Sequence, residues 1–532
     1  MSDFHHDRVR SSEFTSTPGP RCCPCHGDSH GAAGALPGGV SRRQFLGTAA
    51  FGGAVLGGLS WSALTAAEAD LPQPPRRRPL VVKPILQYSI RTPRPQVSWR
   101  PWGDIHSDEA ARAEVGRIGK ELEKLGAEAD FPVEFLPIAA IRGPQELAAL
   151  DDLAGADAVI LYAACGPQST FDALVETGKD VLFFVRNKTG SHYLWYEIVS
   201  PRYLRRHTDE RQVQAIDEND VIVDDPAEIL WRLRALCGLR NTVGTKILAV
   251  GGPGAWAQPI DPIVELVDRQ WKLDVQTIPY DELGKLIAEA RADEATVGQA
   301  RRRAEAYLKL PGTTLETKRE FVDHCFLLDK VFRTLMQEAG CGAITIHHCM
   351  GTIMNVSETA ACLTLGTLND DGYLAFCESD FVVIPSGLLL GNITGKPVFL
   401  HNPTWPHRGI ITLAHCTAPR KMDGETLEPA RILTHYESDY GAAPKVEFRV
   451  GQRLTSIIPD FGSELWQGLR SEVIGNPFLP ICRSQLEVKF DVDSRVLAER
   501  LRGFHWMTCY GDYHREVEYA VRRIPIGWEL LG

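Results

Sequence analysis

Short apolar runs alternate with amphipathic segments from residue 80 onward, and this alternation restricts the fold more than any other feature of the chain. Apolar runs typical of buried strands occupy residues 80–89, 132–138, 156–164 and 180–186. Helical patterns occupy residues 108–127, 145–153, 170–177 and 226–240. Strands separated by helices form parallel sheets, because each helix returns the chain to the same end of the sheet. We therefore predict a doubly wound parallel α/β domain over residues 80–243.

A second alternating unit follows directly. Its predicted strands are residues 245–250, 273–278 and 343–347, and its predicted helices are residues 280–308 and 314–339. The turn Gly251-Gly-Pro-Gly254 lacks the glycine spacing of a phosphate-binding loop, so we interpret it as a loop at the sheet edge that faces a cleft at most. These features predict a second doubly wound α/β domain over residues 244–372.

The last part of the chain, residues 373–532, has a different pattern. Short β-prone runs separated by turn residues occupy residues 446–450, 453–458, 465–474, 485–492 and 505–509. A series of this kind is typical of antiparallel structure. We therefore predict a β-rich C-terminal domain, either an antiparallel sheet or a small barrel, packed against the second unit.

The first 69 residues are predicted to be a targeting segment. Arg42 and Arg43 precede a weakly apolar run with five glycines between residues 47 and 58, and this run ends at Ala-Glu-Ala at 67–69. These are the features of a twin-arginine export signal. The alternative, a membrane anchor, is less favoured because so many glycines make a poor spanning helix. We expect cleavage after Ala69 and export by the twin-arginine machinery to the periplasm or another extracytoplasmic space. A Pro/Arg-rich, mobile linker would then cover residues 70–79.

The cysteines divide into two sets. Cys22, Cys23 and Cys25 form a cluster with His26 that has the ligand types of a soft-metal site, but it lacks a second half and would be removed with the signal. The other ten have no paired spacing, and several lie in apolar runs. We expect these ten to be mostly buried thiols, which suits a protein that folds before export.

The charge balance restricts the class of partner. Lys and Arg number 57 against 68 Asp and Glu, a net charge of −11. Nucleic-acid binding needs a basic face that neutralises phosphates. The overall charge therefore speaks against a nucleic-acid partner.

Side chains with catalytic or metal-binding chemistry concentrate between residues 344 and 513, at the ends of apolar runs. The strings are Ile-His-His-Cys-Met at 346–350, Cys-Glu-Ser-Asp at 377–380, His-Asn at 401–402, Leu-Ala-His-Cys-Thr-Ala-Pro at 413–419, His-Tyr-Glu-Ser-Asp at 435–439, Cys-Arg-Ser-Gln-Leu-Glu at 482–487 and Gly-Phe-His at 503–505. A buried Glu or His is costly unless it is paired or coordinated. Carboxylates combined with imidazoles suit Mn²⁺ or a similar divalent cation.

Several of these strings together resemble the L-fucose isomerase-like family, and more distantly L-arabinose isomerase. The similarity is closest to an uncharacterised branch that has the Cys-Glu-x-Asp string, Leu-Ala-His-Cys-Thr-Ala-Pro, His-x-Glu-Ser-Asp, Cys-Arg-x-Gln-x-Glu-Val-Lys and a final Gly-x-His followed by Tyr-Gly-Asp. These motifs lie between about residues 349 and 511. The resemblance implies a metal-dependent enzyme that acts on a monosaccharide and assembles as a trimer or hexamer.

The resemblance also implies roles for individual residues. Glu378, His415 and His505 correspond to metal ligands, and Glu378 or Asp380 would move the substrate proton. The second carboxylate of the isomerases is missing, because the matching strand ends in His401 and Asn402. Asn402 can offer a carbonyl oxygen to a metal or a substrate hydroxyl, but it cannot accept a proton.

Other side chains of the same region are candidates for supporting roles. Arg483 and Glu437 are expected to contact substrate, and Asp380, Glu437 or Asp439 could supply the missing acid. Other interpretations stay open: Glu378 could be a helix-start carboxylate, and His415 a core histidine.

Two classes of function follow from the sequence. The first is aldose–ketose isomerisation through an enediol, assisted by a divalent metal such as Mn²⁺. The second is a sugar-binding or sensing protein that has kept the fold and lost the chemistry, which the missing acid and the export signal favour. Epimerisation or carbon–carbon cleavage at the same site is a third possibility.

Overall fold

The computed structural model describes residues 71–100 and 102–532, and its first sheet is built from the alternating segment after residue 80. The strands are β1 (Leu80–Gln87), β2 (Val133–Phe135), β3 (Ala139–Ile141), β4 (Ala158–Ala163), β5 (Asp180–Val185) and β6 (Val221–Val223), with helices α1 (Asp108–Glu128), α2 (Pro144–Ala148) and α3 (Ser169–Glu176). All pairings are parallel, in the order β2-β1-β4-β5-β6 with β3 also beside β1. The prediction of one strand over 132–138 is wrong: Pro137, which has no amide hydrogen, separates two strands.

The second sheet is also parallel. It contains β7 (Lys246–Val250), β8 (Asp274–Ile278), β10 (Ala343–Ile346) and β11 (Leu374–Cys377), in the order β11-β10-β7-β8. Its segment also contains β9 (Thr313–Leu315) and the helices α4 (Ala227–Thr242), α5 (Ile260–Trp271), α6 (Tyr280–Ala292), α7 (Glu294–Leu308), α8 (Arg319–Ala339), α9 (Thr352–Ser357) and α10 (Cys362–Asp370). Strand β11 belongs to this sheet although it follows residue 373, where the sequence pattern changes.

The C-terminal region forms a closed antiparallel barrel of six strands. They are β12 (Phe399–Pro403), β13 (Ile410–His415), β16 (Arg453–Pro459), β17 (Leu465–Gly475), β18 (Ser484–Lys489) and β19 (Trp506–Tyr510). The order is β16-β19-β12-β13-β18-β17, and β17 pairs back with β16. The predicted combination of a mixed α/β chain with a β-rich C-terminal part is confirmed, and of the two predicted forms the structure has the barrel.

The remaining elements surround the barrel. They are β14 (Ala430–Leu433), β15 (Ala443–Val446), β20 (Gly527–Leu531), α11 (Ile384–Thr394), α12 (Ser494–Arg500) and α13 (His514–Val521). Strands β15, β14 and β9 form a small separate sheet, and β20 runs parallel to β17.

Two further boundary predictions are wrong because of this small sheet. The helix predicted over 314–339 begins only at Arg319, since residues 313–315 pair with β14. The strand predicted over 446–450 ends at Val446, where the amide of Phe448 turns away to donate to Asn476 Oδ1 at 2.7 Å.

The segment before β1 is held on the protein surface. Residues 71–79 contain no helix or strand, as expected for a Pro/Arg-rich linker. The backbone amide of Arg78 donates to Asn241 Oδ1 at 2.8 Å, and Arg77 donates to the carbonyl of Asn392 at 2.9 Å. These contacts argue against the mobility that we predicted for this segment.

The predicted export signal, its twin arginines, the cleavage position after Ala69 and the cluster of Cys22, Cys23, Cys25 and His26 lie outside the described residues. Within 71–100 and 102–532, no helix combines the length and apolar character needed to cross a membrane.

A stacked pair of tryptophans between α5 and β17 generates a stability prediction. The rings of Trp271 and Trp466 are 5.4 Å apart, and both side chains are fully buried. Trp466→Ala removes this contact and leaves a cavity, so we expect a loss of about 3–5 kcal/mol in the free energy of unfolding. Chemical denaturation measures this loss. Trp405→Ala, at a site that is 74% exposed, is the matched control and should change stability by less than about 0.5 kcal/mol. Equal effects of the two substitutions would contradict the prediction.

Candidate functional site

Three of the predicted ligands meet where the carboxyl edge of the second sheet faces the barrel. Glu378 directly follows β11, His415 ends β13, and His505 directly precedes β19. Their ligand atoms all lie within 4.8 Å of one another. Glu378 Oε1 is 3.4 Å from His415 Nε2, and Glu378 Oε2 is 3.2 Å from His505 Nε2. The structure thus brings together one carboxylate and two imidazoles from three separate strands.

The backbone at Glu378 adopts an unusual conformation. Glu378 and Ser379 have φ angles of 66° and 46°, a left-handed region that costs a non-glycine residue about 1–3 kcal/mol. The Gly251–Gly254 turn supports this conformation, since the Gly254 amide donates to the Ser379 carbonyl at 2.9 Å. A Cβ atom at Gly254 would lie only 3.1 Å from that carbonyl oxygen, so the position favours glycine.

The geometry around Glu378 tests two predictions made from the sequence. The glycine-rich turn is a loop at a strand end, as predicted, and it lies beside the site. The alternative in which Glu378 begins a helix is wrong, because the next helix starts six residues later at Ile384.

Asp380 orients one of the histidines. Its Oδ2 atom is 2.7 Å from His505 Nδ1, and its Oδ1 atom accepts the backbone amide of Val382 at 3.1 Å. Both Asp380 and His505 are buried. A carboxylate that accepts a hydrogen bond from one ring nitrogen fixes the tautomer and directs the other nitrogen outward as a ligand. Asp380 is therefore placed to position His505.

The charges of the cluster shift the protonation of its members. Burial alone would raise the pKa of Glu378, but the charge of His505 and the contact with His415 hold it below its ordinary value. Burial alone would lower the pKa of His505, but the charge of Glu378 and the hydrogen bond with Asp380 raise it to about 10. The cluster therefore stabilises an ionised carboxylate beside cationic or metal-bound imidazole.

The cluster fits a divalent metal ion. Ligand atoms at right angles around an ion with bonds of about 2.1 Å are about 3 Å apart, close to the distances from Glu378 to each histidine. His505 Nε2 is buried and faces Glu378 Oε2, while His415 Nε2 approaches the other oxygen of the same carboxylate. A cation shared by the three side chains would satisfy both imidazole nitrogens and the carboxylate. Two imidazoles and a carboxylate suit Mn²⁺ or a comparable ion.

An aromatic wall lies against His505. The rings of Trp256 and Phe504 stack at 3.8 Å, and Trp256 meets the His505 ring edge-on at 5.9 Å. Both aromatic residues are only partly buried. They provide an apolar surface beside polar and charged groups, which is the usual make-up of a small-molecule site.

Asn402 lies apart from the three ligands. It pairs with Ala414 across β12 and β13, so the two side chains share one face of the barrel wall. His415 is the next residue of β13 and points to the opposite face, because side chains alternate along a strand. The side-chain nitrogen of Asn402 is buried without a hydrogen-bond partner among the described residues.

Arg483 and Glu437, which we expected to contact substrate, lie near a different group of side chains. Arg483 donates to the carbonyl of Thr434 at 2.7 Å and stacks over the Tyr436 ring. Glu437 is exposed and lies in the loop after β14, together with His435. Its negative charge is one of the charges that favour the protonated form of His435. Both residues thus border a group formed by Cys362, Cys416 and His435, whose ligand atoms also lie within 4.8 Å of one another.

A third group consists of Cys349, Cys377 and Glu378, again within 4.8 Å. Eight of the ten described cysteines are buried, and Cys349 and Cys482 are partly buried. This confirms the prediction that the ten are mostly buried thiols.

Comparison with known proteins gives no identification: no family model and no curated protein matches the chain.

Sequence reasoning did not identify several residues of the site. Trp256 and Thr417 were missed, and Thr417 Oγ1 lies 3.1 Å from His415 Nδ1. Thr417 does lie in the string that contains His415, at a spacing that allows such a contact. Trp256 comes from the segment after the glycine-rich turn, and nothing in its sequence context links it to residue 505.

Asp380 yields a prediction for metal affinity. If it positions His505, then Asp380→Asn should weaken Mn²⁺ binding about 10- to 100-fold without abolishing it. Titration followed by electron paramagnetic resonance of free Mn²⁺ measures this change. Asp491→Asn, at an exposed position, is the control and should bind as the unmodified protein does. An Asp380→Asn protein with unchanged affinity and intact circular dichroism would show that the hydrogen bond has no such role.

Proposed function

We propose that this protein is an exported, metal-dependent enzyme that interconverts an aldose and a ketose. The observation that carries the proposal is the convergence of Glu378, His415 and His505 at the sheet edge, with His505 oriented by Asp380. The resemblance of the surrounding motifs to L-fucose isomerase-like proteins supplies the substrate class.

The position of the cluster supports the proposal. We infer that each parallel sheet is a doubly wound unit, because its strand order reverses direction. In the first sheet β1 lies between β2 and β4, and in the second sheet β7 lies between β8 and β10. In such sheets, ligands bind beyond the carboxyl ends of the strands at the point where the order reverses. In the second sheet this point lies between β7 and β10, where the Gly251–Gly254 turn contacts the residues after Glu378.

Each residue then has a defined task. Glu378, His415 and His505 would hold the ion, and a bound divalent ion would polarise the sugar carbonyl and stabilise charge on the neighbouring oxygens. Glu378 would take the proton from C2 of the open-chain aldose and return it to C1, while a proton passes from O2 to O1. Asp380 would keep the His505 tautomer fixed, and Trp256 would pack against the apolar face of the sugar.

One observation favours the second candidate, a sugar-binding protein without turnover. Asp380 uses one oxygen for His505 and the other for the Val382 amide, and Asn402 faces the other side of the barrel wall. Glu378 is then the one carboxylate placed for proton transfer in this group, whereas the isomerases use two.

Glu378 provides the decisive test of the enzyme. With Mn²⁺ and a panel of pentoses, hexoses and deoxy-sugars, the protein should form a ketose and incorporate solvent deuterium at the carbon that receives the proton. Glu378→Gln should lower this rate at least about 100-fold and remove the bound Mn²⁺. Nuclear magnetic resonance measures the exchange, and paramagnetic resonance measures the metal.

The exposed Glu425→Gln substitution is the matched control and should leave both quantities unchanged. A thermal shift with sugar but no ketose, no deuterium exchange and no dependence on Mn²⁺ would establish the binding protein instead. Full Mn²⁺ content in Glu378→Gln would overturn the assignment of the ligands.

Export is tested separately. With the two arginines intact, we expect a mature protein outside the cytoplasm whose N-terminal residue is Asp70. The double substitution Arg42→Lys and Arg43→Lys should leave the full-length chain in the cytoplasm, because the pathway requires the arginine pair. Cell fractionation and N-terminal sequencing measure both outcomes. Continued export of the double variant would argue against this route.

A further inference from the structure

A second group of side chains that could bind a metal adjoins the Glu378 cluster, because one of its members, Cys416, directly follows His415. This group has no part in the proposed reaction. It contains Cys362, Cys416 and His435, all buried, with their ligand atoms within 4.8 Å of one another. The Cys416 thiol also forms a hydrogen bond with Cys482. Three sulfurs and one imidazole therefore meet around Cys416.

The four residues come from four separate segments. Cys362 begins α10, Cys416 follows β13, Cys482 precedes β18, and His435 lies in the loop after β14. Residues so far apart in sequence come together only through the tertiary structure. Buried cysteines in a hydrophobic core ordinarily contact apolar side chains, but here the sulfurs contact one another.

The imidazole of the group is held in a fixed orientation. His435 Nδ1 lies 3.1 Å from Ser438 Oγ, and the His435 backbone amide donates to the Tyr440 carbonyl at 3.0 Å. Because Ser438 engages Nδ1, Nε2 is the ring nitrogen left for the hydrogen bond between His435 and Cys416. A fixed second nitrogen of this kind is typical of histidines that bind metals.

We propose that Cys362, Cys416, Cys482 and His435 bind a structural zinc ion. Cys362, Cys416 and His435 would supply three ligands, and Cys482, which contacts the Cys416 thiol, would complete the tetrahedral set that is typical of structural zinc sites. Thiolate sulfur is a soft ligand, so the site would select zinc over the Mn²⁺ expected at the carboxylate cluster. A set that leaves no open position serves structure and not catalysis.

The ion would add a further link between parts of the fold that already meet through packing and through hydrogen bonds such as that from Ser484 Oγ to the Pro444 carbonyl at 2.7 Å. It would tie two barrel strands, β13 and β18, to the small sheet through His435 and to α10 through Cys362. Cys416 follows His415 directly, so the zinc site would also fix the end of β13 that presents His415 to the Glu378 cluster. The site does not depend on the proposed reaction.

Cobalt substitution tests the proposal with a readout that reports sulfur ligation. The test protein is the full chain with Cys22→Ser, Cys23→Ser and Cys25→Ser, so that the N-terminal thiols do not contribute. After zinc removal, about one equivalent of Co²⁺ should give the near-ultraviolet charge-transfer band of cobalt thiolates and the strong visible bands of tetrahedral Co²⁺. Zinc should then displace the cobalt and abolish both.

Substitutions locate the ligands. Cys416→Ser should remove the charge-transfer band and one equivalent of bound zinc. Cys509→Ser, at another fully buried cysteine, and Glu378→Gln should each keep the band. Loss of the band in Cys349→Ser with its retention in Cys416→Ser would place the metal at the Cys349 and Cys377 pair and overturn the proposal.

If Cys416→Ser fails to fold, a measurement on the protein with its four metal-binding side chains unchanged still tests the proposal. Zinc should protect Cys362, Cys416 and Cys482 from alkylation, and a chelator should expose them, as peptide mass spectrometry would show. Equal alkylation with and without zinc would overturn the proposal. A disulfide between Cys362 and Cys416 would also overturn the proposal, because it would explain the contact between the two sulfurs. It would appear as an intact mass lower by two hydrogens than that of the reduced chain, together with a linked Cys362–Cys416 peptide.

Discussion

Helix α11 is the constraint on which the arrangement of the other layers depends. All eleven of its residues are buried, and it packs against α4, β11 and β19. Glycines make this approach possible: a Cβ atom at Gly238 of α4 would lie 2.3 Å from the Ile393 side chain, and one at Gly391 would lie 2.4 Å from Leu374. Because α11 begins four residues after Asp380, its position also fixes the turn that carries Glu378. The geometry of the Glu378 cluster is therefore set by close helix packing as much as by its own contacts.

The orientation of His505 links the parallel sheet to the barrel. Asp380 and Glu378 come from the end of β11, whereas His505 comes from the start of β19. The buried hydrogen bond between Asp380 and His505 would be costly to break, since each partner would keep an unsatisfied or charged group away from water. The site and the joint between the two layers thus depend on the same contact.

The sequence predicts much of this chain, and the exceptions have physical causes. Alternating apolar runs predicted both parallel sheets, and the motif strings predicted the three residues that converge at Glu378. Barrel closure could not be predicted, because it depends on the pairing of β16 with β17, a matter of register and not of local pattern. The group around Cys416 was missed for a related reason: its members lie on separate segments, so no spacing motif marks them. The engagement of Asp380 by His505 also depends on tertiary structure.

Helix α13 and the residues that follow it contact the region around the first sheet. Tyr519 of α13 donates to Asp220 at 2.5 Å, and Arg523, just after this helix, donates to Asp180 at 2.6 Å. Arg234 of α4 pairs with Glu516 of α13 at 3.0 Å. A ribosome synthesises Asp180 and Asp220 about 300 residues before these partners, so the two acids gain these contacts only after residue 523 has been made. A nascent chain that stops before α13 would therefore lack the hydrogen bonds that join the two regions.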